Sequence, residues 1–172
     1  MRRLYFSGFC LDGEKELFKE YLEESDFIIS GFSYGTIKAL DKAKELIFQG
    51  KRVDKLQLVS PAFFNDKDKK YKRLQIIFFQ KDSDQYCKNF LKNCGFDQQL
   101  WEKYFSKGTS EELEELLYFQ WKEEDLRYLV DKGVLIEVFT GVDDKIINSN
   151  RAVDFFKQFA DIYSIKNKGH IL

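Results

Sequence analysis

The sequence predicts an α/β fold: about five mostly parallel strands, with a long helical insertion after the third. Three observations carry that reading. Short apolar runs rich in branched and aromatic residues alternate with amphipathic helical patterns at both ends of the chain. Between Ala62 and about Lys132 the rhythm changes to helix after helix. A length of 172 residues with 44% apolar content suits one domain with a real core.

The first strand is expected over Arg3–Phe6, followed by a helix over Glu14–Glu24 with Leu17, Phe18, Tyr21 and Leu22 on one side. Asp26–Ser30, "DFIIS", reads as the second strand. Tyr34–Phe48 has a helical stripe of Ile37, Leu40 and Ile47, a charged opposite side, and Gly50 as a left-handed stop. Leu56–Ser60 is the third strand, ended by Pro61, the only proline. Helices are then expected over Tyr71–Gln80, Gln85–Cys94, Asp97–Ser106, a segment opening at Thr109 with a capping box to Glu112, and Glu123–Lys132. Val134–Thr140 and Ile162–Ile165 supply the last two strands, around a helix over Asn150–Ala160 capped by Ser149. The expected division is a core of residues 1–60 and 131–172 and a lid of residues 61–130.

Composition narrows the function. A net charge of −1 gives no global attraction to nucleic acid or to an anionic membrane. Arg2-Arg3 starts like a signal peptide, but the apolar run after it is short and meets "DGEKE" without a cleavage site. Cys10, Cys87 and Cys94 lack a C-x-x-C spacing, and with one histidine a metal site is not expected. Three free thiols fit a reducing cytoplasm, and no cofactor is expected.

The chemistry centres on "GFSYG", Gly31 to Gly35. These letters are common by chance, and their context gives them meaning. Ser33 stands between an expected strand and an expected helix, where an abrupt turn strains the central residue and lifts its hydroxyl clear. Gly31 and Gly35 suit the close approach of strand and helix there. His170, the only histidine, follows the last strand and a glycine. Asp143 and Asp144 follow the fourth strand; either could orient the imidazole or simply form an acidic turn. Serine, aspartate and histidine thus follow three different strands in that order.

These residues resemble those of the α/β-hydrolase family. The resemblance covers most of positions 3–60 and 131–170, and the spacing of Gly141, Asp144 and Ile146-Ile147 favours Asp144 over Asp143 as the acid. Ser7-Gly8-Phe9 resembles the family's oxyanion loop, which implies an oxyanion hole formed by the backbone N–H groups of Phe9 and Tyr34. The chain departs from the family by lacking the customary first two strands and the helix after the histidine. Only about 25 residues separate Gly8 from Ser33. A sheet without those helices is expected to need cover on one face, from a second protomer in a homodimer or a folded-back lid segment.

The compactness, the elbow and the helical lid are similar to the small pimeloyl-[acyl-carrier protein] methyl ester esterases of biotin synthesis. That likeness implies an acidic acyl carrier protein as partner, with neither nucleic acid nor membrane involved. Lys67, Lys69, Lys70, Lys72 and Arg73 offer a docking patch, or else a solvated lid entrance. Phe63, Phe64, Phe78, Phe79, Trp101 and Trp121 are candidates for an acyl tunnel or for the lid's own core. A general short-chain carboxylesterase or thioesterase, and a catalytically inactive hydrolase-fold binding module, are the competing readings.

Overall fold

The computed structural model describes residues 4–172; Arg3, where the first strand is expected to begin, lies outside them. Five parallel strands form one sheet in sequential order: β1 (Leu4–Phe6), β2 (Ile28–Phe32), β3 (Lys55–Val59), β4 (Leu135–Gly141) and β5 (Asp161–Ile165). The helices are α1 (Tyr34–Phe48), α2 (Lys69–Lys81), α3 (Ser83–Cys94), α4 (Gln98–Tyr104), α5 (Ser110–Tyr118), α6 (Glu123–Asp131) and α7 (Ser149–Phe156). None is long and apolar enough to cross a membrane among the described residues.

Register and side-chain alternation sort the sheet into two unlike faces. Leu4, Ile29, Leu56 and Ile136 align in one row, and Phe6, Gly31, Leu58, Val138 and Ile162 in the next row on the same face. Helix α1 packs on β1, β2 and β3, while α6 packs on α1 and β4. The opposite face carries a polar row of Tyr5, Ser30, Gln57, Glu137 and Asp161.

The cover over that polar face corrects the expectation of a helix there. Glu14–Glu24 does not form one α-helix; a five-residue 3₁₀ turn, Glu14–Phe18, gives way to an irregular segment. Its backbone groups bond elsewhere. The Tyr21 carbonyl accepts from the Gln57 side-chain amide at 3.2 Å, and the Glu23 N–H donates to Gln57 Oε1 at 2.9 Å. Phe18 packs on Phe32 and Tyr21 on Phe139, with ring centroids 4.7 and 5.6 Å apart. The β1–β2 connection therefore packs over β2, β3 and β4 on the face expected to need cover, while Tyr163 of β5 stays exposed there. Gln57 is wholly buried and also donates to Glu137 at 2.7 Å; Lys55 bridges Glu137 and Glu23.

Local signals hold elsewhere with small shifts. The Thr109–Glu112 capping box forms in both directions, at 3.1 and 3.2 Å. Asp68, Asp82 and Asp97 cap α2, α3 and α4, and Gly95 (φ 108) ends α3 in the left-handed conformation that favours glycine. Helix α7 is capped by Asn148 rather than Ser149 and stops at Phe156, because Phe159 turns back to the Phe156 carbonyl on entering β5.

The ends of the insertion are clasped at its base. The Asn65 side chain accepts from the Trp121 N–H at 3.0 Å and donates to the Trp121 carbonyl at 2.9 Å. The Trp121 indole N–H also donates to the Ala62 carbonyl. Helix α2 packs on α3 and α5 above this clasp.

Candidate active site

Strand β2 ends at Phe32, and α1 begins at Tyr34, leaving Ser33 alone to turn the chain. Ser33 takes φ 53 and ψ −117, a region that side-chain-bearing residues rarely occupy and that costs roughly 1–3 kcal/mol. The turn is held by the Ser33 N–H donating to the Val59 carbonyl at 2.9 Å and by Thr36 Oγ1 donating to the Ser33 carbonyl at 2.6 Å. Both flanking glycines are required by space. A Cβ on Gly31 would lie 2.3 Å from the Gly35 carbonyl oxygen, and one on Gly35 only 1.9 Å from that of Phe6.

His170 Nε2 lies 2.7 Å from Ser33 Oγ, and His170 Nδ1 lies 2.6 Å from Asp144 Oδ2. Facing a carboxylate, Nδ1 carries the proton and donates, which leaves Nε2 to accept from the Ser33 hydroxyl. The other Asp144 oxygen accepts the N–H groups of Ile146 and Ile147 at 2.7 and 3.0 Å. Burial alone would raise the Asp144 pKa. His170 and these two N–H groups outweigh it, holding the carboxyl below its ordinary 3.8. Asp143 is exposed and donates its N–H to the Lys168 carbonyl.

The support for His170 includes residues for which the sequence predicts no role in the site, Ser60 and Cys94. Ser60 Oγ donates to the His170 carbonyl at 2.5 Å, and the Ile171 N–H donates to the Cys94 carbonyl at 3.0 Å. Gly141 lets β4 approach the tail, since a Cβ there would stand 1.9 Å from the Gly169 carbonyl oxygen. Phe32 lies beside the imidazole at 5.2 Å between ring centroids. The only available signal for Ser60 was its place at the upper end of β3, before Pro61.

Neither a protein-family sequence model nor a curated protein sequence matches the chain. Solved structures do resemble it. The hydrolase olei00960 from Oleispira antarctica superposes with a TM-score of 0.63 at 13% identity, over 84% of this chain and 58% of that one. BioG from Haemophilus influenzae gives a TM-score of 0.59 at 13% identity, over 98% and 88%. An α/β-hydrolase fold protein from Burkholderia ambifaria gives 0.51 at 13% identity, over 91% and 64%. The chain has the α/β-hydrolase fold. It spans less than two thirds of the Oleispira and Burkholderia chains, but most of BioG.

Within this fold the loop after β1 lies against the elbow: Gly35 abuts the carbonyls of Phe6 and Ser7, and Gly8 abuts the Phe32 ring. Phe9, next in the loop, is buried under lid residues Phe79 and Phe90. The Gly8 N–H donates to Glu14, a buried carboxylate at the start of the segment expected to be helical. Ser33 and His170 are themselves 3% and 0% exposed, so the insertion roofs the site. The Tyr34 hydroxyl, at the start of α1, donates to Glu115 on α5 at 2.7 Å and fastens that roof to the elbow.

The expected aromatic and basic groups divide. Phe64 and Phe78 line a cavity of about 620 Å³ between the lid helices, which reaches Ile146 beside the Asp144 loop. Phe63 and Trp121 instead pack into the core against Phe156, Phe79 packs on Phe9, and Trp101 stacks on Phe105. Lys69, Lys70 and Arg73 are exposed on α2, while Lys67 is half-buried beside Asp66. Lys72 corrects the expectation of docking. It is buried, its ammonium stands over the Tyr118 ring, and burial lowers its pKa.

Proposed function

We propose that this protein is a serine carboxylesterase that removes the methyl ester of a pimeloyl group carried on acyl carrier protein. The observation that carries the esterase reading is the unbroken relay from Asp144 through His170 to Ser33, at 2.6 and 2.7 Å. As Ser33 Oγ attacks the ester carbonyl, His170 Nε2 takes its proton, and Asp144 stabilises the imidazolium. The carbonyl oxygen becomes an oxyanion and accepts from the N–H groups of Phe9 and Tyr34, the latter at the positive end of α1. The tetrahedral intermediate collapses, and methanol leaves with the proton from His170. Water, deprotonated by the same nitrogen, then attacks the acyl-enzyme and releases the acid.

Two observations support the carrier-bound substrate. BioG from Haemophilus influenzae is matched over 88% of its length, and the compactness, elbow and lid resemble those of the pimeloyl-[acyl-carrier protein] methyl ester esterases. Lys69, Lys70 and Arg73 project from α2 beside the exposed Leu74 and Ile77, a basic and apolar surface suited to an acidic carrier. A cytoplasmic site of action fits this substrate and the three free cysteines.

The likeness to naproxen esterase from Bacillus subtilis, with a TM-score of 0.51 at 20% identity, favours a second reading as a general carboxylesterase. One experiment separates them. The Lys69→Glu/Lys70→Glu/Arg73→Glu variant should lose about tenfold or more on methyl pimeloyl-carrier protein and keep its rate on p-nitrophenyl acetate. Equal rates on the carrier substrate would leave the general esterase. Failure of a fluorophosphonate to label Ser33 would leave a binding module.

A further inference from the structure

Glu14 is a wholly buried carboxylate with no cationic partner among the described residues. One oxygen accepts from the Gly8 N–H at 2.9 Å and from the Tyr5 hydroxyl at 2.8 Å, while the other is buried without a hydrogen-bond partner. A group that served only to fill this space would cost less as a leucine or methionine. Its position suggests another use.

Gly8 immediately precedes Phe9, and both of its backbone groups are tied. Glu14 holds its N–H, and the Leu11 N–H donates to its carbonyl at 3.3 Å. The Gly8 carbonyl and the Phe9 N–H belong to one planar peptide, so fixing the first sets the direction of the second. Cys10, in the same tight turn, has φ 62, a strained value that persists only where the surroundings enforce it. Gly108 presses on this turn from the lid, with no room for a Cβ beside the Phe9 ring and the Cys10 sulfur.

We propose that Glu14 is a positioning residue: it fixes the Ser7–Gly8 peptide through the Gly8 N–H while the Leu11 N–H fixes the Gly8–Phe9 peptide, and the two together aim the Phe9 N–H at the oxyanion formed on Ser33 attack. This rests on the esterase reading above. Glu14 touches no reacting atom; it acts through the loop.

The test compares wild type with Glu14→Ala, Glu14→Gln and Tyr5→Phe. It measures kcat and KM on p-nitrophenyl acetate, the thermal midpoint, and amide spectra of protein labelled at glycine and phenylalanine. Glu14→Ala should lower kcat about 10–100-fold and leave KM within about threefold. Glu14→Gln, whose amide oxygen can accept the same two bonds, should restore kcat to within about fivefold, and Tyr5→Phe should stay near wild type. The Gly8 amide proton should move upfield in Glu14→Ala and largely return in Glu14→Gln. Wild-type kcat in a folded Glu14→Ala variant, or an unmoved Gly8 amide, overturns the proposal. Should alanine unfold the chain, Glu14→Met carries the same expectations. Wild-type protein that hydrolyses no ester would overturn the esterase reading and with it the catalytic role, while the Gly8 amide shift would still decide whether the brace exists.

Discussion

At Asp144 and Asp143, two adjacent carboxylates of identical chemistry have opposite environments. Asp144 is aimed at His170 and holds two backbone N–H groups, whereas Asp143 faces solvent. Asp144→Asn should therefore lower kcat about 10³–10⁴-fold with the fold intact, because the amide no longer enforces the Nδ1 tautomer. Asp143→Asn should stay within about threefold, and steady-state kinetics on a p-nitrophenyl ester reads both. The depressed pKa of Asp144 has a stability consequence of definite sign. A carboxyl whose folded pKa lies below its unfolded value contributes stability above the unfolded value and loses it as pH falls through the folded one. Acid unfolding should thus show a component below pH 3.8 that is missing from Asp144→Asn; superimposable acid curves would contradict it.

Between elements, several polar contacts hold the lid, and two of them can be tested singly. The Tyr34–Glu115 bond ties α5 to the first residue of α1, while the Asn65–Trp121 pair ties the lid's two ends to each other. Tyr34→Phe removes the first tie and keeps the backbone N–H of residue 34. Since a hydrogen bond to a charged group contributes about 1.5–3 kcal/mol, opening should become easier. The rate of Ser33 labelling by a bulky fluorophosphonate should rise at least about threefold, while labelling by a small one changes less. An unchanged rate for both probes would mean that α5 is not the gate. The β1–β2 connection shows why sequence alone misassigned an element. Leu17, Phe18, Tyr21 and Leu22 have helical spacing, but Gln57 on β3 captures the backbone of Tyr21 and Glu23. A tertiary hydrogen bond outcompetes local propensity there.

Across the whole molecule, the small sheet depends on that capture. Gln57 joins the covering segment, β3 and the Glu137–Lys55–Glu23 charges in one network. Gln57→Ala would orphan the buried end of Glu137 and the Glu23 N–H, costing about 1–3 kcal/mol for each unsatisfied group. The thermal midpoint should fall by several degrees, and an unchanged midpoint would show that water replaces the amide.

The five strands, the helices other than the one expected over Glu14–Glu24, and the order of serine, aspartate and histidine were legible because they rest on local physics: apolar periodicity, capping side chains, and the two glycines needed where strand meets helix. The choice of Asp144 over Asp143 came from resemblance; Asp144 Oδ2 lies 2.6 Å from His170 Nδ1 and Asp143 is exposed. Glu14, Ser60, the burial of Lys72 and the clasp at Asn65 were not legible. Each depends on a partner brought close only by folding: Gly8, His170, Tyr118 and Trp121. Local sequence signals were enough to specify most of the backbone elements and to place Ser33 at the turn from strand to helix. Folding alone brings together what steadies His170, what packs over the second face and what ties the loop after β1, because those contacts join segments far apart in the chain and carry no local signature.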